Sequence, residues 1–191
     1  MTLFKIFISA FLIDNVILMR FLALCPFIGM SSDEDKSVGM GLAVIFVTLL
    51  ATSATWPLYH FVLKPLGLEF LQILVFILII AALVQLVEFY LKKSAPALYA
   101  SMGIYLALIT TNCAILAVTF DNISKGYTFA ESLVYAFGVA SGFMLSLLLL
   151  AGVRNRIKTS PIPAFLKGTP ILFVAASLLS MAFMGFSGLV K

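Results

Sequence analysis

Two cysteines are the residues whose chemistry most needs explaining. Cys25 stands in Phe21-Leu-Ala-Leu-Cys-Pro-Phe-Ile-Gly29 and Cys113 in Ile109-Thr-Thr-Asn-Cys-Ala-Ile-Leu116, each inside a long apolar run. One free cysteine in such a run behaves as a small buried hydrophobe. A matched pair allows more. Zinc asks for four protein ligands, or three and a water, so two thiols with no acid beside them are half a site at most. A [2Fe-2S] cluster is held by four thiolates, so two chains giving two cysteines each would complete one at their interface.

The neighbours of the thiols suit a broken helix. Pro26 lacks an N–H and disturbs the helix that contains it, while Thr110, Thr111 and Asn112 compete for backbone hydrogen bonds. Pro26 and Asn112 are therefore candidates for the shell around the thiols, against the plainer roles of a proline kink and a polar helix contact. Asp14 and Arg20 are a second set. Charges inside a membrane are costly, at least ~2.5 kcal/mol at the centre, and are functional candidates by default, so this pair marks a candidate ion path. Against it, Arg20 can snorkel or pair with another protein of a complex. Glu88, Glu131 and His60 fall at the ends of apolar runs, where hydrated roles are the rule.

The elements that must position these residues are membrane spans. Only 10% of the residues are charged, and the mean hydropathy is +1.18. No soluble fold of this composition could hide its apolar surface. Apolar runs at about 3–30, 38–60, 70–91, 97–120, 129–153 and 169–190 each approach or exceed the roughly 18 to 20 residues that cross a bilayer. The expected fold is an all-α integral membrane protein of six transmembrane helices, with spans one and four broken near the midplane. A signal peptide is not expected at the start, because Asp14 and Arg20 interrupt the apolar stretch. The net charge of +4 lies in short loops without a basic, aromatic-interleaved patch, which excludes nucleic acid as a partner.

Lys36, Lys92, Lys93, Arg154, Arg156, Lys158 and Lys167 would share one side of the membrane, with Lys5, Lys64, Lys125 and Lys191 on the other. The positive-inside rule puts the richer set in the cytoplasm and both termini outside. Six spans divide into two three-helix units, approximately 1–93 and 94–191, and an odd number of spans makes such a duplication an inverted repeat. Superposing Cys25 on Cys113 brings Asp33 and Asp121 into register. Eight helical residues rise about 12 Å, so each thiol should lie near the middle of a bilayer about 30 Å thick.

These residues carry a family likeness across the whole chain. The two cysteine segments, Phe129-Ala-Glu-Ser-Leu-Val-Tyr135, Arg154-Asn-Arg-Ile157 and Ser180-Met-Ala-Phe-Met-Gly-Phe-Ser-Gly-Leu189 resemble the RnfA family, membrane proteins of the Rnf complex, the ion-translocating ferredoxin:NAD oxidoreductase. They are also similar to its sister family, NqrE of sodium-translocating NADH:quinone reductase. Cys-Pro-Phe and Thr-Thr-Asn-Cys are the forms closer to Rnf. The resemblance implies that Cys25 and Cys113 ligate an intramembrane [2Fe-2S] cluster shared with RnfE, the homologous and oppositely oriented protein of the same complex. It further implies the other Rnf proteins as partners and the bacterial or archaeal inner membrane as the location. Asp14-Asn15 stands where that family usually has two amides.

The expected role is electron transfer coupled to sodium or proton transport, by a protein that carries electrons without a substrate pocket of its own. A roughly 30 Å apolar layer is too wide for one efficient hop, and a midplane cluster divides it. The alternative is a secondary transporter, whose inverted repeats and broken helices look the same but need no iron. Gly185 and Gly188 make the last span a candidate contact with another protein of the complex.

Overall fold

The computed structural model describes residues 2–13, 15–30, 34–67, 69–94, 108–109, 111–158 and 168–185, and among them there is helix and no strand. Asp14, Asp33, the entry to span four and the residues beyond Gly185 lie outside the described residues.

The first apolar run is three helical pieces. Helix α1 (Thr2–Ile8) widens into a π-helical stretch, Ser9–Ile13. The chain restarts at Asn15 as α2 (Val16–Arg20) and again as α3 (Leu24–Met30). The expectation that Pro26 breaks this span is corrected. Pro26 lies in the first turn of α3, where backbone N–H groups have no intrahelical partner and proline is tolerated. The second interruption lies upstream, where Phe21 and Ala23 adopt left-handed φ values of 52° and 60°.

Helix α4 (Glu34–Leu58) runs 25 residues, about 37 Å at 1.5 Å per residue. Pro57 near its end removes one N–H, and the helix widens into the π-helical stretch Tyr59–Leu63 before the short α5 (Lys64–Leu66) stops at Gly67, φ 65°. Helix α6 (Gln72–Ser94) follows with 23 residues. Its Ile73, Leu74, Ile77, Leu78, Leu86 and Phe89 are exposed, as expected of a helix whose outer face meets lipid. Helix α7 (Cys113–Ser124) has 12 residues, α8 (Phe129–Lys158) has 30 and α9 (Thr169–Met184) has 16. Glu131 closes the start of α8 with the carboxylate half of a capping box: it accepts from the Thr128 N–H at 3.0 Å and from its hydroxyl at 2.9 Å. The helix outruns the expected span, so Arg154 and Arg156 belong to α8 instead of to a loop.

The core forms where α4 and α8 pack antiparallel. Gly41 faces Met144 near one end, and at the other the Trp56 ring meets Phe129 edge-on at 5.4 Å while its indole N–H donates to the Tyr127 carbonyl at 3.0 Å. Met40, Val44, Val47, Ile115, Val139, Phe143 and Leu147 are buried there. Helix α1 lies parallel to α8, with Phe7 and Ala10 against Gly138 and Phe11 against Gly142. A Cβ at Gly142 would sit 2.8 Å from the Phe11 carbonyl oxygen; glycine here is what lets the two backbones touch.

Three helical segments are long and apolar enough to cross a membrane, Ser37–Leu63, Gln72–Phe89 and Phe129–Ile157, and shorter apolar helices occupy Leu3–Leu12, Cys113–Ser124 and Thr169–Met184. The protein is all-α and multi-pass. Its intact helices correspond to expected spans two, three and five, and its shorter ones fall in spans one, four and six.

Candidate functional site

Cys113 is the first residue of α7, and the sequence explains why a helix starts there. Asn112 is extended (φ −71°, ψ 110°) and its Oδ1 accepts the Ala114 N–H at 3.0 Å, the bond that caps a helix N-terminus. A helix beginning at Cys113 turns its N-terminal end, with its unpaired backbone N–H groups, toward the sulfur. The 12 residues of α7 span about 18 Å, so Cys113 lies deep relative to the end of its helix.

The segment that carries Cys25 is brought up to Cys113 by a strained route. The N–H groups of Phe21 and Leu22 fold back onto the carbonyls of Ile17 and Val16 at 2.9 and 3.3 Å and close α2. With Phe21 and Ala23 left-handed, a conformation that costs a non-glycine residue about 1–2 kcal/mol, the Ala23 N–H points at Cys113 and donates to its Sγ at 2.9 Å. That one bond joins positions 90 apart and sets the start of α3, with Cys25 in it, beside Cys113.

Both thiols are free and exposed on this chain. Among the described residues no group of three or more His, Cys, Asp or Glu could hold a metal. Beside Cys113 lies a cavity of about 300 Å³, lined by Ile77, Ile80 and Ala81 of α6 and by Thr111, Asn112, Cys113 and Leu116. An exposed pair of thiols, one receiving a backbone N–H, suits half of a thiolate-held cluster whose other ligands come from outside. Backbone hydrogen bonds to sulfur are among the features that tune such centres.

The remaining expected site residues divide. Arg20 is tied within the chain: its Nη1 donates to Asp121 Oδ2 at 2.8 Å, with side chains 44% and 18% exposed. Tyr135 donates to the same Asp121 oxygen at 3.0 Å, and Lys125 lies 4.5 Å above the Tyr135 ring. Arg20 thus joins the end of α2 to α7, and its partner is a residue that entered the sequence reading only as a depth marker. Pro26, as described, opens α3.

Sequence reasoning missed Asn15. It is fully buried; its Oδ1 accepts the Ile17 N–H at 3.3 Å, and its Nδ2 donates to the Gly142 carbonyl at 3.0 Å and to Ser146 Oγ at 2.7 Å. It also missed Arg154, whose Nη1 donates to the Ile28 carbonyl at 3.3 Å and satisfies a backbone acceptor that the end of α3 leaves open. Ser180 of α9 likewise donates to the Leu18 carbonyl in α2.

Interrupted helices that bring two cysteine-bearing segments, 90 positions apart at their point of contact, side by side belong to a multi-pass, all-α membrane protein. The chain belongs to the family described as Rnf-Nqr subunit, membrane protein, whose model matches residues 3–190. It is 53% identical, over 98% of its length and 97% of the relative's, to the A component of the ion-translocating oxidoreductase complex of Syntrophotalea carbinolica. It is 50% identical to the A component of the Na(+)-translocating ferredoxin:NAD(+) oxidoreductase complex of Acetobacterium woodii, over 99% of this chain and 98% of that one. A third relative, the A component of the ion-translocating oxidoreductase complex of Cereibacter sphaeroides, is 52% identical over 97% of this chain and 96% of its own.

Proposed function

We propose that this protein is the electron-carrying A component of an ion-translocating ferredoxin:NAD oxidoreductase of the Rnf type. In this reading Cys25 and Cys113 supply two of the four thiolates of a [2Fe-2S] cluster whose other two come from a homologous, inverted membrane protein. The observation that carries the proposal is the Ala23 N–H bond to Cys113 Sγ, which sets both cysteine segments side by side with their thiols exposed. The names of the relatives support the wider setting, a membrane oxidoreductase coupled to ion transport.

When bound, the cluster supplies one-electron transfer. The chain's own residues hold and shield it: the α7 N-terminus and the Ala23 N–H stabilise negative charge on Cys113, and Ile77, Ile80, Ala81 and Leu116 keep water from that side. The antiparallel packing of α4 and α8 supports reading 1–93 and 94–191 as inverted repeats. The Lys and Arg distribution supports an inner-membrane topology with both termini outside.

The test is electron paramagnetic resonance, with iron and acid-labile sulfide analysis, on this chain co-purified with its inverted partner. Cys25→Ala or Cys113→Ala should abolish the signal of this cluster and leave the complex's other cofactors in place; a full signal in either variant overturns the proposal. A secondary transporter would instead hold no iron and keep its function with serine at both positions.

A further inference from the structure

The amide of Asn112 is only half used. Its Oδ1 caps α7 by accepting the Ala114 N–H, which fixes the orientation of the side chain, because a flipped amide would place a donor against a donor. The Nδ2 is thereby committed to donate. Yet Asn112 is 5% exposed and its buried Nδ2 has no acceptor among the described residues. A buried donor left unmet costs about 1–3 kcal/mol, and in a bilayer no bulk water relieves it.

The surroundings narrow what can accept. Asn112 lines the cavity next to Cys113, where Ile77, Ile80, Ala81 and Leu116 contribute apolar side chains. Asn15 serves as an internal control, since it caps α2 with the same atom while its Nδ2 is doubly satisfied by Gly142 and Ser146. An unmet amide is therefore no general consequence of this cap. Asn122, in the interior of α7, also has buried amide atoms without a partner among the described residues; of the two asparagines, Asn112 is the one that lines the cavity at Cys113.

We propose that Asn112 Nδ2 donates a hydrogen bond to sulfur of the metal centre at Cys113, either the thiolate or a bridging sulfide, and so raises the reduction potential of that centre. The inference rests on the cluster reading given above. Reduction adds negative charge to the sulfurs, and a fixed donor stabilises the reduced form more than the oxidised one. With the Ala23 N–H already on Cys113 Sγ, this chain offers two donors to the sulfur side of the site, one from each helix break.

The test uses the assembled complex. In wild type labelled with [15N]asparagine, pulsed paramagnetic resonance of the reduced cluster should show a side-chain 15N coupling. Asn112→Ser keeps an oxygen for the cap, stays neutral and removes the amide, so it should lose that coupling and lower the potential. The expected size is about a tenfold change in the reduced-to-oxidised ratio, equivalent to 59 mV for one electron. Asn15→Ser should leave both readings unchanged. A wild-type cluster without asparagine coupling overturns the inference, as does an Asn112→Ser potential equal to wild type; if that variant does not assemble, the wild-type coupling decides alone. Absence of any cluster signal from the wild-type complex is the distinct outcome that removes the cluster reading itself.

Discussion

At Asn15 and at Asn112 the chain ends one stretch and starts a helix with the same device, an extended asparagine (φ −62°, ψ 106° and φ −71°, ψ 110°) whose side-chain oxygen accepts the N–H two residues on. The two differ in what their amide nitrogens do. Asn15 gives its nitrogen to α8, through Gly142 and Ser146, and so fastens the first break to the core. Asn112 keeps its nitrogen unmet beside a cysteine. One break is a structural fastening; the other, in the inference above, is a ligand contact. The distance to the thiol differs too: Cys113 follows its asparagine directly, while Cys25 stands beyond α2 and the left-handed residues Phe21 and Ala23.

The largest effect should come from breaking the fastening. Asn15→Ala removes a helix cap, at about 1 kcal/mol, and two buried hydrogen bonds to α8, at about 0.5–1.5 kcal/mol each. The sum is about 2–4 kcal/mol, read as a lowered thermal midpoint and a lower yield of the assembled complex. Asn112→Ala removes one cap and should cost about 1 kcal/mol. Equal losses at the two positions would erase the distinction between the breaks.

Gly142→Ala tests the same fastening from the α8 side. The new Cβ would meet the Phe11 carbonyl oxygen at 2.8 Å, and because that atom is backbone, the π-helical stretch Ser9–Ile13 must shift, at about 1–3 kcal/mol. Gly152→Ala, on the same helix with nothing within 4 Å of its added carbon, is the control. It should leave the thermal midpoint unchanged or raise it slightly, since alanine is the better helix former.

The contrast also marks what sequence alone could reveal. Apolar runs located the intact helices because lipid imposes length and polarity on every span, and Thr-Thr-Asn ahead of Cys113 signalled a break because those side chains cap helices. The first break gave less warning. One asparagine in an apolar run reads equally as a packed polar contact, and its partners Gly142 and Ser146 are 127 and 131 positions away. The left-handed turn was illegible for a different reason: such conformations are normally announced by glycine or asparagine, and here Phe21 and Ala23 adopt them, held by tertiary bonds instead of by propensity. Pro26 misled in the opposite direction, since a proline that opens a helix and one that breaks it look alike until the start of the helix is known.

The smallest expected effect concerns how the breaks are joined. Two links run between the segment after Asn15 and the helix after Asn112: the Ala23 N–H to Cys113 Sγ and the Arg20–Asp121 ion pair. The first is backbone and lies at the thiols; the second joins side chains that are 44% and 18% exposed, where screening limits a pair to about 0.2–1 kcal/mol. Arg20→Gln should therefore lower the thermal midpoint only slightly, and less at high salt than at low salt, because Asp121 keeps the Tyr135 hydroxyl. The cluster signal should not change, since nothing at the sulfur is altered. A loss of cluster in this variant would mean that the ion pair, and not the left-handed turn, holds the two cysteine segments together.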